Sequence, residues 1–206
     1  MFKFDEGITL TELLVAVTMI GIMMIAVASF AMAINRLQSS TSRSTITAAK
    51  VKTAMAQISQ DAMSAMGHAT DPGIYAWTNN VDSSSICFRQ DLANTPQDYN
   101  DDPWVCYYHD DSFDIQRCPG TAHFFPPACT NSNQCCAGVP ESKRAKLLSM
   151  TSSTGEFAEI VNDASGRFEY IKLSLAARFD QGKPVHPIDN PERSLTTKIS
   201  PPGHSR

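Results

Sequence analysis

Cysteines are the residues of this sequence whose chemistry is easiest to identify. There are six, in a stretch rich in Asp, Asn, Pro and Ser: Cys87, Cys106, Cys118, Cys129, Cys135 and Cys136. An even count in a loop-rich segment indicates a disulfide framework formed outside the cytoplasm. The pairing stays open, except that Cys135 and Cys136 should have different partners, because bridging neighbours strains the backbone. A zinc site is the weaker interpretation, because no CxxC pair occurs and His109 and His123 lack ligand-like spacing.

A second polar cluster, Asp101 to Asp114, is acidic (DDPWVCYYHDDSFD). Several carboxylates close together suit a hard cation such as Ca²⁺. The spacing matches no EF-hand loop, so we interpret the stretch as a solvated acidic loop held by Cys106. There is also no GxSxG, HExxH or glycine-rich phosphate loop. We therefore predict a protein that is not an enzyme, with no metal and no cofactor.

Glu12 is a carboxylate at the start of an otherwise uncharged run. From Leu13 to Ile34 there is no Asp, Glu, Lys, Arg or His, and this run exceeds the ~20 residues that cross a bilayer as a helix. An ionised carboxylate inside a spanning helix costs roughly 2.5 to 3.5 kcal/mol on insertion scales, so it usually has a partner. The sequence predicts a transmembrane segment in which Glu12 has a function.

The composition indicates what the rest of the chain is. With 206 residues, 42% hydrophobic residues and a net charge of -4, we expect one membrane-tethered domain of ordinary size. The pI of about 5.7 and the lack of a basic patch with interleaved aromatic residues exclude nucleic acid as the predicted partner.

A long helix is the element that must position Glu12. Beyond Ile34, apolar and small residues recur at steps of three and four as far as Ala65, with no Pro or Gly before Gly67. The pattern predicts one continuous helix from about Thr9 to Met66, amphipathic in its second half. Two helices broken near Ser39 to Ser44, where Ser and Thr cluster, are the alternative.

Strands are predicted after the helix. The segments SSICFRQ and WVCYYH each look like a strand that carries a cysteine. The best hairpin candidate has a first strand from Phe157 to Val161, a turn from Asn162 to Gly166, and a return strand with inward-facing Ile171, Leu173 and Leu175. A last strand is predicted from Ser194 to Ile199, and little regular structure between Gln90 and Val139. The fold class is therefore α+β.

The N-terminal residues resemble a known family. Gly7, the apolar stretch that begins at Ile8, Glu12 at the fifth position after the glycine and the apolar helix behind it are similar to type IV prepilins and type II secretion pseudopilins. The chain looks most like the PilW-type minor pilins and the J-type pseudopilins. The resemblance implies a pilin-like fold, in which a long helix packs on a small antiparallel sheet. Its parts would be a leader (1–7), a transmembrane half-helix (8–34), an amphipathic half-helix (35–66) and a β-rich domain (67–206) with a Cys-rich insertion (87–139).

The same resemblance implies a function. A prepilin peptidase would cut between Gly7 and Ile8, the new amino group of Ile8 would be methylated, and Glu12 would pair with the amino terminus of a neighbouring subunit during assembly. The expected partners are other pilin or pseudopilin subunits, the prepilin peptidase and the inner-membrane assembly platform. The chain would first cross the bacterial inner membrane once, with its C-terminal domain in the periplasm. It would then enter a pilus or pseudopilus, at or near the tip, and act in assembly initiation, adhesion or secretion.

Two other interpretations remain open. One is a bitopic, membrane-anchored extracytoplasmic binding domain that does not polymerise; the other is a secreted module cleaved after Ala33, although the apolar run is longer than that of an ordinary signal peptide. The charges conflict with the cysteines over topology. The positive-inside rule favours a cytoplasmic domain, because the residues after the apolar run are basic at Arg36, Arg43, Lys50 and Lys52. We give the cysteines more weight.

Overall fold

The computed structural model describes residues 9–67, 73–80, 83–91, 102–109, 114–121, 135–136, 139–140, 143–149 and 157–201. Within these ranges the chain forms one helix and eight strands, in the order α1 (Leu10–Met63), β1 (Ile74–Asn80), β2 (Ser83–Arg89), β3 (Trp104–His109), β4 (Asp114–Thr121), β5 (Ala145–Ser149), β6 (Ala158–Asn162), β7 (Phe168–Arg178) and β8 (Glu192–Ile199). The class is α+β, as predicted. The chain divides into two compact units, Met1–Ser42 and Arg43–Arg206.

The helix α1 continues through the cluster of Ser and Thr, which confirms the predicted continuous helix and rules out the alternative of a break near Ser39 to Ser44. It ends at Met63, three residues before the predicted end at Met66. The cause is competition from the sheet: Ala65 bridges to Gln90, and the Met66 amide donates to the Arg89 carbonyl at 3.0 Å. These residues exchange helical hydrogen bonds for bonds to the end of β2.

In the second unit, one stripe of α1 is buried: Thr47, Val51, Ala54, Met55, Ile58, Asp61 and Ala62. Steps of three and four place these residues on one face of the helix. Their apolar members share a core with inward residues of both sheets, including Ile86, Phe88, Tyr107, Ile171 and Leu173. The amphipathic half of the helix is therefore a core element, as its periodicity predicted.

The strands form two antiparallel sheets, one ordered β1-β2-β3-β4-β5 and one ordered β6-β7-β8. Side chains alternate between the faces of a strand, so Ile86 and Phe88 join the core beneath the helix whereas Cys87 joins a second cluster. All six residues of β3 are buried, which means that both of its faces are covered.

The predicted hairpin is β6 and β7. Its turn is shifted by one residue: Asn162 ends β6, and the Asp163 carboxylate accepts hydrogen bonds from the amides of Ser165 and Arg167. On the return strand Ile171, Leu173 and Leu175 are buried, as their alternation predicted. The last strand, β8, begins two residues before the predicted Ser194.

The predicted strands SSICFRQ and WVCYYH are confirmed as β2 and β3. The prediction of little regular structure in the rest of the stretch from Gln90 to Val139 is wrong, because β4 also lies there and pairs with β3 in the larger sheet. The sequence of β4, DIQRCPGT, contains Pro and Gly, which are depleted in strands. Its place is decided by pairing with β3, where Cys106 faces Cys118 and Tyr107 faces Arg117. The strands β1, β4 and β5 were not predicted.

Candidate functional site

The first candidate site is the apolar part of α1. Every large hydrophobic side chain between Leu10 and Met32 is more than half exposed in the single chain. The helix is long and apolar enough to cross a membrane, with a mean hydropathy of 2.5 in its most apolar window and none of that window buried. Its hydroxyl groups bond to the helix itself, since Thr18 donates to the Val15 carbonyl and Ser29 to the Ile25 carbonyl. Because the helical backbone beyond the first turn and the Thr18 and Ser29 hydroxyls are satisfied within the helix, lipid or other helices can cover this surface.

Glu12 lies in the first turn of α1 and forms a reciprocal cap with Thr9. The Thr9 amide donates to Glu12 Oε2 at 3.0 Å, and the Glu12 amide lies 3.3 Å from Thr9 Oγ1, which accepts its hydrogen. This is a capping box, in which two amides without a helical partner are satisfied together. The carboxylate is exposed. The other two residues of the predicted processing site, Gly7 and Ile8, lie outside the described residues.

The second candidate site is the disulfide-bonded face of the larger sheet. Cys87 bonds to Cys106 directly across β2 and β3, with their Cα atoms 4.0 Å apart, and Cys118 of β4 bonds to Cys136 at a Cα separation of 5.3 Å. Cys135 is disulfide-bonded as well, whereas Cys129 lies outside the described residues. The neighbours Cys135 and Cys136 therefore have different partners.

Aromatic residues pack around these disulfides. The buried cluster contains Trp104, Tyr108 and Val139, and Tyr75 and Trp77 cover it from β1. The rings of Tyr75 and Trp77 are stacked with centroids 5.7 Å apart, and Tyr75 meets Trp104 edge to face at the same distance. The half-burial of Tyr75 and Trp77 leaves part of each ring accessible on this face.

A buried polar network was not predicted. Asp61 on α1 accepts hydrogen bonds from the Tyr107 hydroxyl of β3, from Arg117 Nε of β4 at 2.9 Å and from Gln90 Nε2 at 3.1 Å. Arg117 Nη2 also forms an ion pair with Asp61 Oδ2 at 2.9 Å. One signal was present in the sequence: Asp61 is the first acid after Glu12, and it interrupts the apolar stripe beside Ile58.

The surroundings of this network shift two pKa values. Burial, with the hydrogen bond to Asp61 and its negative charge, raises the pKa of Tyr107 well above its usual range. Burial also opposes the charge on Arg117, but hydrogen bonds to Asp61 and Tyr107 outweigh that effect, so its pKa is raised. The arrangement therefore holds a neutral phenol between a carboxylate and a guanidinium, which ties helix to sheet.

The acidic stretch was the candidate calcium site. Asp114 pairs with Lys146 at 2.6 Å and accepts a hydrogen bond from Ser149, and Asp102 is buried. Asp101, Asp110 and Asp111 lie outside the described residues. In the part of the chain that the structure describes, no three His, Cys, Asp or Glu side chains are close enough to hold a metal ion. His109 is buried in β3, and His123 is not described.

Comparisons of this chain with protein-family models, with curated proteins and with solved structures found no match.

Proposed function

We propose that this protein is a minor pilin or pseudopilin, a structural subunit that enters a type IV pilus or type II secretion pseudopilus at or near its tip. The observation that carries the proposal is the juxtaposition on one helix of Glu12, five residues after Gly7, with the exposed, uncharged run from Leu13 to Ile34. The proposal includes no catalytic activity. The proposal rests on the resemblance of the N-terminal residues to type IV prepilins and type II secretion pseudopilins. Three properties of the folded chain support it: the exposed helix, the position of Glu12 and the disulfide-bonded face.

The exposed apolar run of α1 supports a function in which the helix moves from membrane lipid into contact with neighbouring subunits. In the membrane, lipid covers the apolar side chains from Leu13 to Ile34; in a filament, the same side chains of neighbouring subunits cover one another. Both environments remove this surface from water, so the transfer needs no refolding of the helix. Large exposed apolar patches mark interaction sites, so this surface indicates contact with lipid or with other subunits.

The geometry of Glu12 supports the pairing role. Cleavage after Gly7 would leave a positive amino group on Ile8, four residues before Glu12. In the single chain the carboxylate is held at the first turn by Thr9, at the helix surface. A carboxylate that is already positioned loses less side-chain entropy when it meets the amino terminus of the neighbouring subunit. We propose that this ion pair sets the register between subunits.

The disulfide-bonded face supports a stable extracytoplasmic domain. Disulfides cross-link β2 to β3 and β4 to Cys136. Such bonds form and persist in an oxidising compartment outside the cytoplasm. We propose that this face and the loops beside it carry the partner-specific surface, because binding residues tend to lie on loops held by a rigid scaffold. The C-terminal domain would then be periplasmic.

The proposal is tested by expressing the full chain with and without a prepilin peptidase and measuring its intact mass and N-terminal sequence. We expect a mature chain that begins at Ile8 only when the peptidase is present, and no cleavage of the Gly7→Ala variant. Cleaved Glu12→Ala should fail to enter filaments. The matched control is Glu159→Gln, which removes a carboxylate from an exposed pair with Lys172 and should assemble normally.

Two results would replace this proposal. A chain that still begins at Met1 in the presence of the peptidase would indicate the bitopic anchor, whose exposed helix would need only lipid. A chain that begins at Ile34 would indicate a secreted module released by signal peptidase after Ala33. Normal assembly of cleaved Glu12→Ala would remove the pairing role and leave the processing intact.

A further inference from the structure

The strand β8 lies at the edge of the smaller sheet, whose strand order is β6-β7-β8. One side of its backbone pairs with β7 along the whole strand, and in the described part of the chain no strand pairs with the other side. An edge strand presents a row of N–H and C=O groups that can pair with a further strand. Pro191 precedes β8 and Pro201 follows it after one residue, so such pairing is confined to the strand itself.

The middle of β8 carries none of the features that protect edge strands from pairing. Natural edge strands are usually protected by Lys or Pro near the middle, by a bulge, or by a covering element. From Ser194 to Thr197 the sequence is Ser-Leu-Thr-Thr, without Pro or charge, and Thr favours strands. The register with β7 is also continuous from end to end. The outer edge of β8 is therefore suited to receive an added strand.

The side chains of β8 divide between two faces. Leu195 packs against the core and Ile199 is buried in it, so the odd-numbered residues face α1. On that face Arg193 Nε donates to Ser44 Oγ of α1 at 2.9 Å. An added antiparallel strand has to match residues of the same face, because a slip of one residue would exchange the faces. The residues of the opposite face are all exposed: Glu192, Ser194, Thr196 and Lys198.

Lys198 lies opposite a like charge within its own sheet. Its partner across β7 and β8 is Lys172, and like charges directly opposite each other are unfavourable. The acid nearest to this row, Glu159 of β6, is already paired with Lys172 at 3.1 Å. Lys198 Nζ instead lies 4.4 Å from the centre of the Tyr170 ring. An acid supplied from the open edge of β8 would therefore stabilise Lys198.

Glu192, at the other end of β8, is the complementary charge. It lies opposite Arg178 of β7, but Arg178 Nη1 donates to the Lys183 carbonyl at 3.0 Å, and among the described residues Glu192 forms no ion pair. The strand thus begins with an exposed acid and carries an exposed base six residues later, on the same face. In an antiparallel pair of identical strands, the beginning of each strand lies beside the end of the other.

A second copy of β8 satisfies both charges when Leu195 lies opposite Leu195 of that copy. In this register Glu192 of each copy lies opposite Lys198 of the other, and Ser194 lies opposite Thr196. Opposite charges and facing hydroxyl residues are favourable cross-strand pairs. A shift of two residues in either direction removes both charge pairs. The exposed face of β8 is therefore complementary to itself in one register.

We propose that β8 is an interaction surface for a second copy of this chain. The two β8 strands pair antiparallel in the register centred on Leu195, and the two three-stranded sheets become one sheet of six strands. The interface is isologous, because each copy contributes the same strand. Backbone hydrogen bonds hold the strands together, and the two pairs of Glu192 with Lys198 select the register. This proposal goes beyond the filament function and does not depend on it.

The test measures the molar mass of the full chain in detergent, by size-exclusion chromatography with light scattering over a range of protein concentrations. Glu192→Lys and Lys198→Glu each create like-charge pairs between identical copies. Each variant alone should therefore stay monomeric where the parent dimerises. An equimolar mixture of the two should dimerise, because every pair between unlike copies then joins opposite charges. Dimers in the mixture also show that both variants are folded.

The matched control is Glu159→Lys. It makes the same change of charge at an exposed position of β6, the other edge strand of this sheet. Because β6 is separated from the proposed interface by β7, this variant should dimerise like the parent.

Disulfide trapping tests the register. Ser194 of one copy lies directly opposite Thr196 of the other, a placement like that of Cys87 and Cys106 across β2 and β3, which are bonded. A mixture of Ser194→Cys and Thr196→Cys chains should therefore form cross-linked dimers on oxidation. Either variant alone places its cysteines only diagonally, roughly 7 to 8 Å apart, and should cross-link much less.

Four results would overturn the proposal. A parent chain that is monomeric at every concentration would show that β8 does not pair with itself. Dimers that persist in both charge variants would assign the association to another surface, such as the apolar part of α1. A mixture of the charge variants that stays monomeric while the parent dimerises would contradict the pairing of Glu192 with Lys198. Equal cross-linking of the cysteine mixture and of either cysteine variant alone would contradict the register.

Discussion

At the scale of single residues, the position that matters most to the folded domain is Asp61. It is a carboxylate on the buried face of α1, and it accepts hydrogen bonds from Tyr107 of β3, Arg117 of β4 and Gln90, the residue that follows β2. A buried ion pair contributes little net stability compared with apolar packing, but loss of one partner leaves an uncompensated charge. Asp61 therefore specifies how helix and sheet meet.

Replacement of Asp61 by Asn should destabilise the domain by about 3 kcal/mol, because Arg117 would stay half-buried without its anion. The measurement is denaturant unfolding of the full chain in detergent, with the disulfides intact. Lys172→Gln is a matched control, since its exposed pair with Glu159 should contribute less than ~1 kcal/mol. Equal effects of the two substitutions would contradict the proposed importance of burial.

Tyr107 should make stability fall at alkaline pH. Its pKa is raised in the folded protein, chiefly by burial, whereas the unfolded chain ionises near the ordinary value of about 10. The unfolded state therefore releases a proton that the folded state keeps, and the contribution is complete below about pH 10 and declines above it, by up to ~1.4 kcal/mol per pH unit. Unfolding midpoints across this range should drop less steeply for Tyr107→Phe. Parallel curves would assign the drop to other groups.

At the scale of elements, the join between α1 and the larger sheet depends on a close backbone approach. Gly73, just before β1, has a φ of 63°, and a Cβ on it would lie 1.9 Å from the Met66 carbonyl oxygen. The Arg89 amide donates to the Gly73 carbonyl at 2.8 Å, and Arg89 Nε donates to the Met66 carbonyl. The end of the helix, the start of β1 and the end of β2 thus meet at one crowded point.

The substitution Gly73→Ala should therefore destabilise the domain more than Gly166→Ala. Gly166, in the β6–β7 turn, also has a positive φ of 78°, but a Cβ added there would meet no described atom within 4 Å, so only the backbone cost of about 1 to 2 kcal/mol applies. At Gly73 the clash adds to that cost, and we expect a loss greater by roughly 1 to 3 kcal/mol. Thermal unfolding of the two variants measures the difference. A similar loss in both would mean that the backbone relaxes at Gly73.

At the scale of the whole molecule, the two compact units have opposite surfaces. The first exposes the apolar helix from Leu10 to Met32, and the second buries its hydrophobic residues in a core shared by α1 and both sheets. The first unit therefore needs lipid or partner helices, and the second has a core of its own. The described cysteines all belong to the second unit.

A fragment that begins at Asn35 should consequently remain soluble without detergent and retain its disulfides, whereas the full chain should require detergent or lipid. Size-exclusion chromatography with and without detergent makes the comparison, and mass measurement before and after reduction counts the disulfides. Aggregation of the fragment would show that the domain depends on the apolar part of the helix for more than attachment.

Local signals in the sequence by themselves determined the helix and the hairpin. The uncharged run from Leu13 to Ile34 predicted a helix able to cross a membrane. The stripe that includes Val51 and Ile58 predicted that the helix then becomes amphipathic. Both patterns depend only on residues in neighbouring turns of the helix. The alternation of Ile171, Leu173 and Leu175 predicted β7 in the same way. Hydrophobic periodicity is a local property, so it can be read before the fold is known.

Only the tertiary structure decided the rest, because it depends on residues far apart in the chain. β4 exists through its pairing with β3, despite its Pro and Gly, and the disulfide partners follow from strand register, which places Cys87 opposite Cys106. The helix α1 ends where the Met66 amide bonds to the Arg89 carbonyl. Asp61 accepts hydrogen bonds from Tyr107 of β3 and Arg117 of β4, which are far from it in the sequence. No local period encodes such long-range pairings.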